Sequence, residues 1–325
     1  MLTRRRTLTL AASALAPALL GGTAFAQAWP NRYVRLIVPY PAGGGADAIA
    51  RILGAKLSET WGQQVLIENK GGAGGNIASE AAARSVPDGY TMYLGAEFLT
   101  TNPHVYPKLS YDPIADLTPV SAVVQYPTVI ALPNSSPAKT VQEFIAYAKS
   151  TPGRTFATPG HGTGPHLAGE LFKRAADIEL THVPYRGAAP AINDLIPGRV
   201  DSFFNNIAPV VPLMQQGQVR GLAVTTARRS AAAPDVPTIA ESGLPGFDVP
   251  GWYAIFVPAK SPPEVIARMN ADINAALADA SVKGKLEGLG LFVGGSTPET
   301  LGNYVKSETE KWGPVIKAAG ISIKE

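Results

Sequence analysis

Cysteine is absent from the 325-residue chain. That excludes disulfides, thiolate metal sites, a cysteine nucleophile and a lipidated N-terminal anchor. Long apolar runs are missing too, since no stretch approaches the roughly 20 apolar residues that span a bilayer. An excess of one charge disappears once the first residues are set aside. They read "MLTRRRTLTLAASALAPALLGGTAFAQA", with Arg4, Arg5 and Arg6 ahead of a short apolar core from Leu8 to Leu20. Ala24-Phe25-Ala26 then forms an A-x-A site that leaves Gln27 first, so residues 1–26 have the layout of an export signal. Pro17 and the glycines beyond it argue against a transmembrane helix, and the consecutive arginines suit twin-arginine export as well as ordinary secretion. Removing this segment leaves 28 − 3 = 25 basic residues against 25 acidic ones. A neutral mature chain gives no electrostatic footing for nucleic acid or a membrane surface. The remaining 325 − 26 = 299 residues are enough for a large core in two domains. The expectation is a monomeric protein in the periplasm, with no nucleic-acid partner and no stable membrane insertion.

Other absences narrow the chemistry. There is no G-x-S-x-G nucleophile elbow, no Lys-Ser/Thr after a glycine run as in a Walker A loop, and no internal repeat. His161 and His166 are spaced H-x-x-x-x-H across a glycine-proline loop, which is not a zincin helix, so no metal is expected from them. His166 reads as a cap neighbour or a polar ligand contact.

What the chain does contain is a regular alternation of strand-like and helix-like segments. "VRLIV" (34–38) precedes a helical pattern at Asp47–Leu57 with Ile49, Ile52, Leu53 and Leu57 on one face. The alternation continues through "VLI" (65–67), a small-residue helix (77–85), "YTMYLGA" (90–96), "VIALP" (129–133) and a helix at Thr140–Ser150. "TFATPG", a helix from about Leu167, "LTHVPY", a helix around Ile192, "VDSFFNN", a helix around Val211 and "VRGLAVTT" follow. This is the pattern of β–α units in mainly parallel sheets. After one more strand, "GWYAIFVPA" (251–259), Ser261-Pro262-Pro263-Glu264 reads as a capping box opening a helix with Val265, Ile266, Met269, Ile273 and Leu277. A further helix near 298–312 closes the chain.

Four loops join a strand to a helix through glycine: "PYPAGGGAD" (39–47), "NKGGAGGNIAS" (69–79), "TPGHGTGPHLAGE" (158–170) and "VPYRGAAPAI" (183–192). Amides at a helix N-terminus, with the positive end of its dipole, favour an anion of almost any kind. Gly43-x-Gly45-x-x-Ala48 satisfies the dinucleotide pattern, with Glu68 placed as a ribose-binding acid. Against that, Pro39-Tyr40-Pro41 holds the strand away from the first glycine, and Asp47 at the helix start would repel phosphate; its other role is a favourable first-turn acid. Thr163 suits either a helix cap or a ligand hydroxyl. Arg186 suits a carboxylate or solvent, and Tyr40, Phe98 and Tyr126 an aromatic wall or packing core. Two loops in each half of the chain point to a cleft between two α/β lobes.

With those residues in view, the chain resembles the substrate-binding receptors of tripartite tricarboxylate transporters, the Bug-type periplasmic proteins. The likeness rests on "VPYPAGGGADAIAR", "ENKGGAGGNIAS", "PDGYTMYLG", "GHGTGPHLAGE", "HVPYRGAAPAINDLIPGRVD", "RGLAVTTARRSAAAPDVPTIAESGLPGF" and "NADINAAL", in that order. It implies an α/β, type II periplasmic-binding-protein fold, with two lobes of mixed, mainly parallel sheets around a ligand cleft. Lobe one would be 27–126 plus 248–325 and lobe two 127–247. It implies a receptor, not an enzyme, that holds a small organic carboxylate without a cofactor and delivers it to integral-membrane transporter subunits. The alternatives are an exported Rossmann oxidoreductase and a receptor serving a periplasmic sensor domain. The resemblance places ligand contacts at Tyr40, Pro41, Ala42, Gly43, Gly44 and Asp47, then at Gly95, Ala96 and Glu97, from lobe one. From lobe two it places Thr158, Gly162, Thr163, His166, Ala188 and Asn205. The family usually carries an acid where this chain has Asn205, which removes a charge and adds a donor. Ala78-Ser79 also replaces glycine at the end of the second glycine loop.

Overall fold

The computed structural model describes residues 29–322, so the expected export signal lies outside the described residues. The chain builds β1 (Val34–Val38), α1 (Gly45–Trp61), β2 (Val65–Asn69), a 3-10 turn (Ala73–Gly75), α2 (Asn76–Ala83), β3 (Thr91–Ala96), α3 (Phe98–Val105) and β4 (Leu117–Tyr126). A second series follows: β5 (Thr128–Pro133), α4 (Val141–Ser150), β6 (Thr155–Thr158), α5 (Gly164–Ala176), β7 (Thr181–Pro184), α6 (Ala188–Leu195), β8 (Ser202–Asn206), α7 (Val211–Gln215) and β9 (Val219–Val224). The chain then completes the first series with β10 (Gly251–Pro258), α8 (Pro263–Ala278), α9 (Ala280–Gly288), β11 (Phe292–Val293) and α10 (Pro298–Ala319). None of these helices is long and apolar enough to cross a membrane.

The strands form two sheets, of order β11-β4-β10-β3-β1-β2 and β7-β6-β8-β5-β9. Both are mixed: β1 pairs parallel with β2 and β3, and β6 with β7 and β8, while β10 and β5 run antiparallel to their neighbours. The two sheets share one plan. In each, the first strand after a crossing from the other sheet, β5 or β10, is inserted antiparallel beside the third strand of the parallel trio. The first crossing is a single residue, Pro127, between β4 and β5; the return runs from β9 to β10.

Burial follows the pleat. In the second sheet Ile130, Leu132, Phe156 and Phe204 face α4 and α5 and pack with Phe144 and Phe172. Their chain neighbours Val129, Ala131, Ala157 and Phe203 face the other way and pack with Ala191, Leu195 and Val211 of α6 and α7. Covering both faces in this way is what βαβ connections impose. The C-terminal helix α10 touches both series, because its Trp312 and Ile316 join a cluster with Val105 of α3 and Leu167 of α5.

Three sequence expectations change. The longest strand, β4, is absent from the sequence reading because Pro119 interrupts it, and Pro119 sits beside a register shift against β10 where no ladder donor is required. Pro103 inside α3 and the weak amphipathicity of α9 hid those helices in the same way. The capping box at Ser261 does not form. The hydroxyl of Ser261 donates to the Pro258 carbonyl at 2.8 Å, and α8 starts one residue later with Pro262 in the cap position and Pro263 as its first helical residue.

The return crossing leaves no room at Gly251, where an added Cβ would lie 2.1 Å from the Tyr126 ring. Gly251→Ala therefore forces Tyr126 or β10 to shift, at about 1–3 kcal/mol. The thermal midpoint should fall by several degrees in calorimetry, and an unchanged midpoint would contradict this contact.

Candidate functional site

Two connected cavities lie between the sheets. An inner chamber of about 50 Å³ is lined by the β1–α1 loop and α1 start (Tyr40, Pro41, Ala42, Gly44, Gly45, Ala46) and by Tyr126 and Tyr253. From the other sheet come Pro159, Pro165, the segment Arg186–Pro190, Asn205 and Asn206. An outer chamber of about 840 Å³ shares Tyr40, Pro41, Pro159, Arg186 and Gly187 with it and is walled by the second glycine loop, His161 and Thr163.

The chemistry of the inner chamber comes from helix ends. The first-turn amides of an α-helix have no carbonyl partner within the helix and carry the positive end of its dipole. The first turn of α1 opens on the chamber from one sheet, and the first turn of α6, at Ala188, Ala189 and Pro190, opens on it from the other. Asn206 accepts the Ala208 amide at 2.8 Å through its Oδ1, which leaves its Nδ2 as a donor beside Gly45 at the start of α1. The Nδ2 groups of Asn205 and Asn206 are both buried without a protein partner. Among the described residues, no aspartate, glutamate or lysine lines either chamber, and Arg186 is the one arginine. This is a set of donors without a matching acceptor, the arrangement that suits an anion.

A third helix end meets the same interface, and the protein fills it itself. Glu97, ahead of α3 in the first series, is buried. Its Oε1 accepts the amide of Gly164, the first residue of α5, at 2.8 Å and the Tyr126 hydroxyl at 3.0 Å. Its Oε2 lies 3.5 Å from the Trp252 amide of β10. Desolvation by burial pushes the Glu97 carboxyl above its ordinary range, while these donors favour its charged form. A Cβ on Gly164 would stand 2.3 Å from Oε1, so the carboxylate sits directly on the backbone.

The residues expected at the ligand divide accordingly. Tyr40, Pro41, Ala42, Gly44, Ala188 and Asn205 line the inner chamber, and Thr163 the outer one. Gly43, Asp47, Gly95, Ala96, Glu97, Thr158, Gly162 and His166 line neither. Asp47 instead accepts the Gly43 amide at 3.0 Å and Arg51 Nε at 2.9 Å, so that amide is already used inside the loop. Burial works against the charge of Asp47, but Arg51, the Gly43 amide and Asn69 bring its carboxyl below the usual range. Gly95 and Ala96 end β3, buried and paired with Ala254 and Tyr253 of β10. Thr163 is a cap, accepting the His166 amide at 3.4 Å and donating to Gly160 at 2.8 Å. Phe98 is core behind Tyr40, at 6.3 Å between rings, whereas Tyr126 does form part of the wall.

The dinucleotide alternative fails on the same geometry. Glu68 lines neither chamber and is tied to Lys70 at 2.7 Å and Arg35 at 3.5 Å. Ala78 and Ser79 face the core, where Ser79 Oγ pairs with the Tyr93 hydroxyl at 2.8 Å. Sequence reading missed Asn206 and Tyr253, while the loop at 183–192 that it placed at the cleft does line the inner chamber from Arg186 to Pro190. The doubled asparagine ending "VDSFFNN" was the available signal for Asn206. Thr158, His161, His166 and His182 also come together at one edge of the outer chamber, the last of them supplied by β7.

Comparison with known proteins agrees with this architecture. A model of the tripartite tricarboxylate transporter family receptor matches residues 49–321. R. palustris Rpa4515, solved with adipate, is 38% identical with a TM-score of 0.87, over 91% of this chain and 100% of that one. The periplasmic binding protein BugD is 33% identical with a TM-score of 0.87, over 91% and 100%. MatC from Rhodopseudomonas palustris, solved with bound malate, is 32% identical with a TM-score of 0.83, over 88% and 99%.

Glu97 makes stability depend on pH in a definite direction. Its folded-state pKa lies above the ordinary 4.5, so its contribution is fully present below that value and is lost as pH rises through the raised one. Because the lowered pKa values of Asp47, His166 and His182 pull the other way, this decline is read as the difference between the wild type and Glu97→Gln in denaturant unfolding across acidic to neutral pH. Glu97→Gln should remove that component, and parallel pH profiles of the two proteins would refute the assignment.

Proposed function

Because the chain belongs to the tripartite tricarboxylate transporter receptor family, we propose that it captures a small organic carboxylate in the periplasm and hands it, unchanged, to integral-membrane transporter subunits. The observation that carries this reading is the convergence of two helix N-termini and two unpartnered asparagine amides on a chamber with no acidic lining. Fixed backbone dipoles bind a carboxylate by charge-assisted hydrogen bonds without burying a counter-ion. Such contacts, some bridged by water at little cost, release the ligand as readily as transport requires. The solved relatives with adipate and malate support the ligand class. The N-terminal Arg-rich, A-x-A segment supports the periplasm.

In this reading the two sheets are two lobes, 27–126 with 248–325 and 127–247, acting as a monomer. They close about Pro127 and the return crossing, as hinge-closing receptors do. The inner chamber has room for a carboxylate head and water, so the rest of the ligand extends past Arg186 into the outer chamber. A second carboxylate there would meet Arg186. Asn205, in place of an acid, gives a ligand ammonium no partner and favours plain di- or tricarboxylates over amino acids.

Thermal unfolding of the mature protein against mono-, di- and tricarboxylates, amino acids and NAD(P) tests the class. A ligand at a thousand times its dissociation constant should add about 4 kcal/mol. Stabilisation by plain dicarboxylates is expected; stabilisation by NAD(P) alone, or by amino acids above dicarboxylates, overturns the reading. Arg186→Gln should weaken a dicarboxylate by about ten- to a hundredfold, the value of a hydrogen bond to a charged group. Its monomethyl ester, titrated by calorimetry, should bind both proteins alike.

A further inference from the structure

We propose that His161, His166 and His182 form a binding site for a divalent cation of the zinc class, at the edge of the outer chamber. The chain has four histidines, and three of them meet here. His161 lies in the loop after β6, His166 in the first turn of α5 and His182 in β7, and one ring nitrogen from each falls within 4.8 Å of the others. The His166 and His182 rings stack 4.0 Å apart and 17° from parallel, and His161 stands nearly perpendicular to both, 4.8 Å from His182 and 5.4 Å from His166. H-x-x-x-x-H across a loop is a poor metal signal by itself; the fold adds the third imidazole from β7.

The unsatisfied atom in this cluster is His182 Nδ1, buried and without a hydrogen-bond partner. Its ring is held from the far side by Thr158 Oγ1, 2.7 Å from Nε2. With Nε2–H donating to Thr158 Oγ1, Nδ1 keeps a bare lone pair. Metal-ligating histidines are usually oriented through their second ring nitrogen, a role the Thr158 hydroxyl fills here. A buried nitrogen left unpaired calls for a partner, and a cation supplies one.

The surroundings set the ion's chemistry. Glu170 Oε1 is 3.9 Å from His166 Nε2, and Lys173 is paired to the same carboxylate at 3.0 Å. One shared acid and three imidazoles suit zinc, nickel or copper, whereas magnesium and calcium take oxygen ligands. Zinc–nitrogen bonds of about 2.0–2.1 Å require the present cluster to contract. Parallel rings cannot aim their in-plane lone pairs at one ion, so binding also turns His166 out of its stack on His182 and exchanges its 3.2 Å contact with the Gly162 amide for the ion, while the exposed His161 loop closes in. Three imidazoles leave a fourth position for water.

The test is calorimetric titration of tag-free, chelator-treated protein with zinc chloride and with magnesium chloride. Saturable binding of one zinc per chain and none of magnesium is expected. His161→Ala, at an exposed position, should weaken zinc on the order of tenfold or more, while His104→Ala, on α3, should leave it unchanged. No saturable zinc binding, equal zinc affinity in His161→Ala, or equal loss in His104→Ala overturns the proposal. The carboxylate titration is a separate measurement, so failure of one reading leaves the other standing.

Discussion

A buried carboxylate has to find donors, and Glu97 finds them on elements far apart in the sequence. Tyr126 ends the strand that leads into the first crossing, Trp252 lies at the start of the returning strand, and Gly164 begins a helix of the other sheet. The three donors therefore span both crossings and both sheets. A desolvated charge with one partner removed is costly, so this contact favours one relative placement of the sheets. The inner chamber is defined by that placement, since its walls come from Tyr126, Tyr253 and the starts of α1 and α6.

The same contact shows the chemistry of the interface at work. Glu97 is a carboxylate seated on a helix N-terminus, supported by a tyrosine hydroxyl and backbone amides. The inner chamber offers the same kind of donors from two further helix starts, with asparagine amides in the place of the tyrosine. A neutral set of donors suits a receptor better than a buried lysine or arginine would. Burying a carboxylate against a lysine or arginine takes two charges out of water, whereas fixed dipoles require only the ligand's own charge to be desolvated. Arg186 stands at the junction with the outer chamber, where solvent moderates its charge.

Local patterns carried most of the secondary structure. Alternating apolar runs marked β1, β5 and β10 and helical spacing marked α1, α4 and α8, because those signals depend on neighbours within a turn or a pleat. The exceptions had local causes as well. Pro119 disguised β4, although a bulge accommodates it, and the hydroxyl of Ser261 closed a turn with Pro258 in preference to capping α8. The family resemblance, resting on loops in a fixed order, led to the two-sheet architecture that the fold and the solved relatives share.

The sequence by itself determined that the chain alternates strands and helices, that glycine loops open several helices, and that their free amides would attract an anion. Those are properties of contiguous residues. Only the tertiary structure decided which loops meet. Glu97 and Gly164 are 67 positions apart, and Glu97 and Trp252 are 155 apart. It set Asn206 beside Gly45. It also carried His182 to His161 and His166. Whether a given amide is spent on the protein or left for a ligand depends on packing between distant segments, and no local pattern encodes that choice.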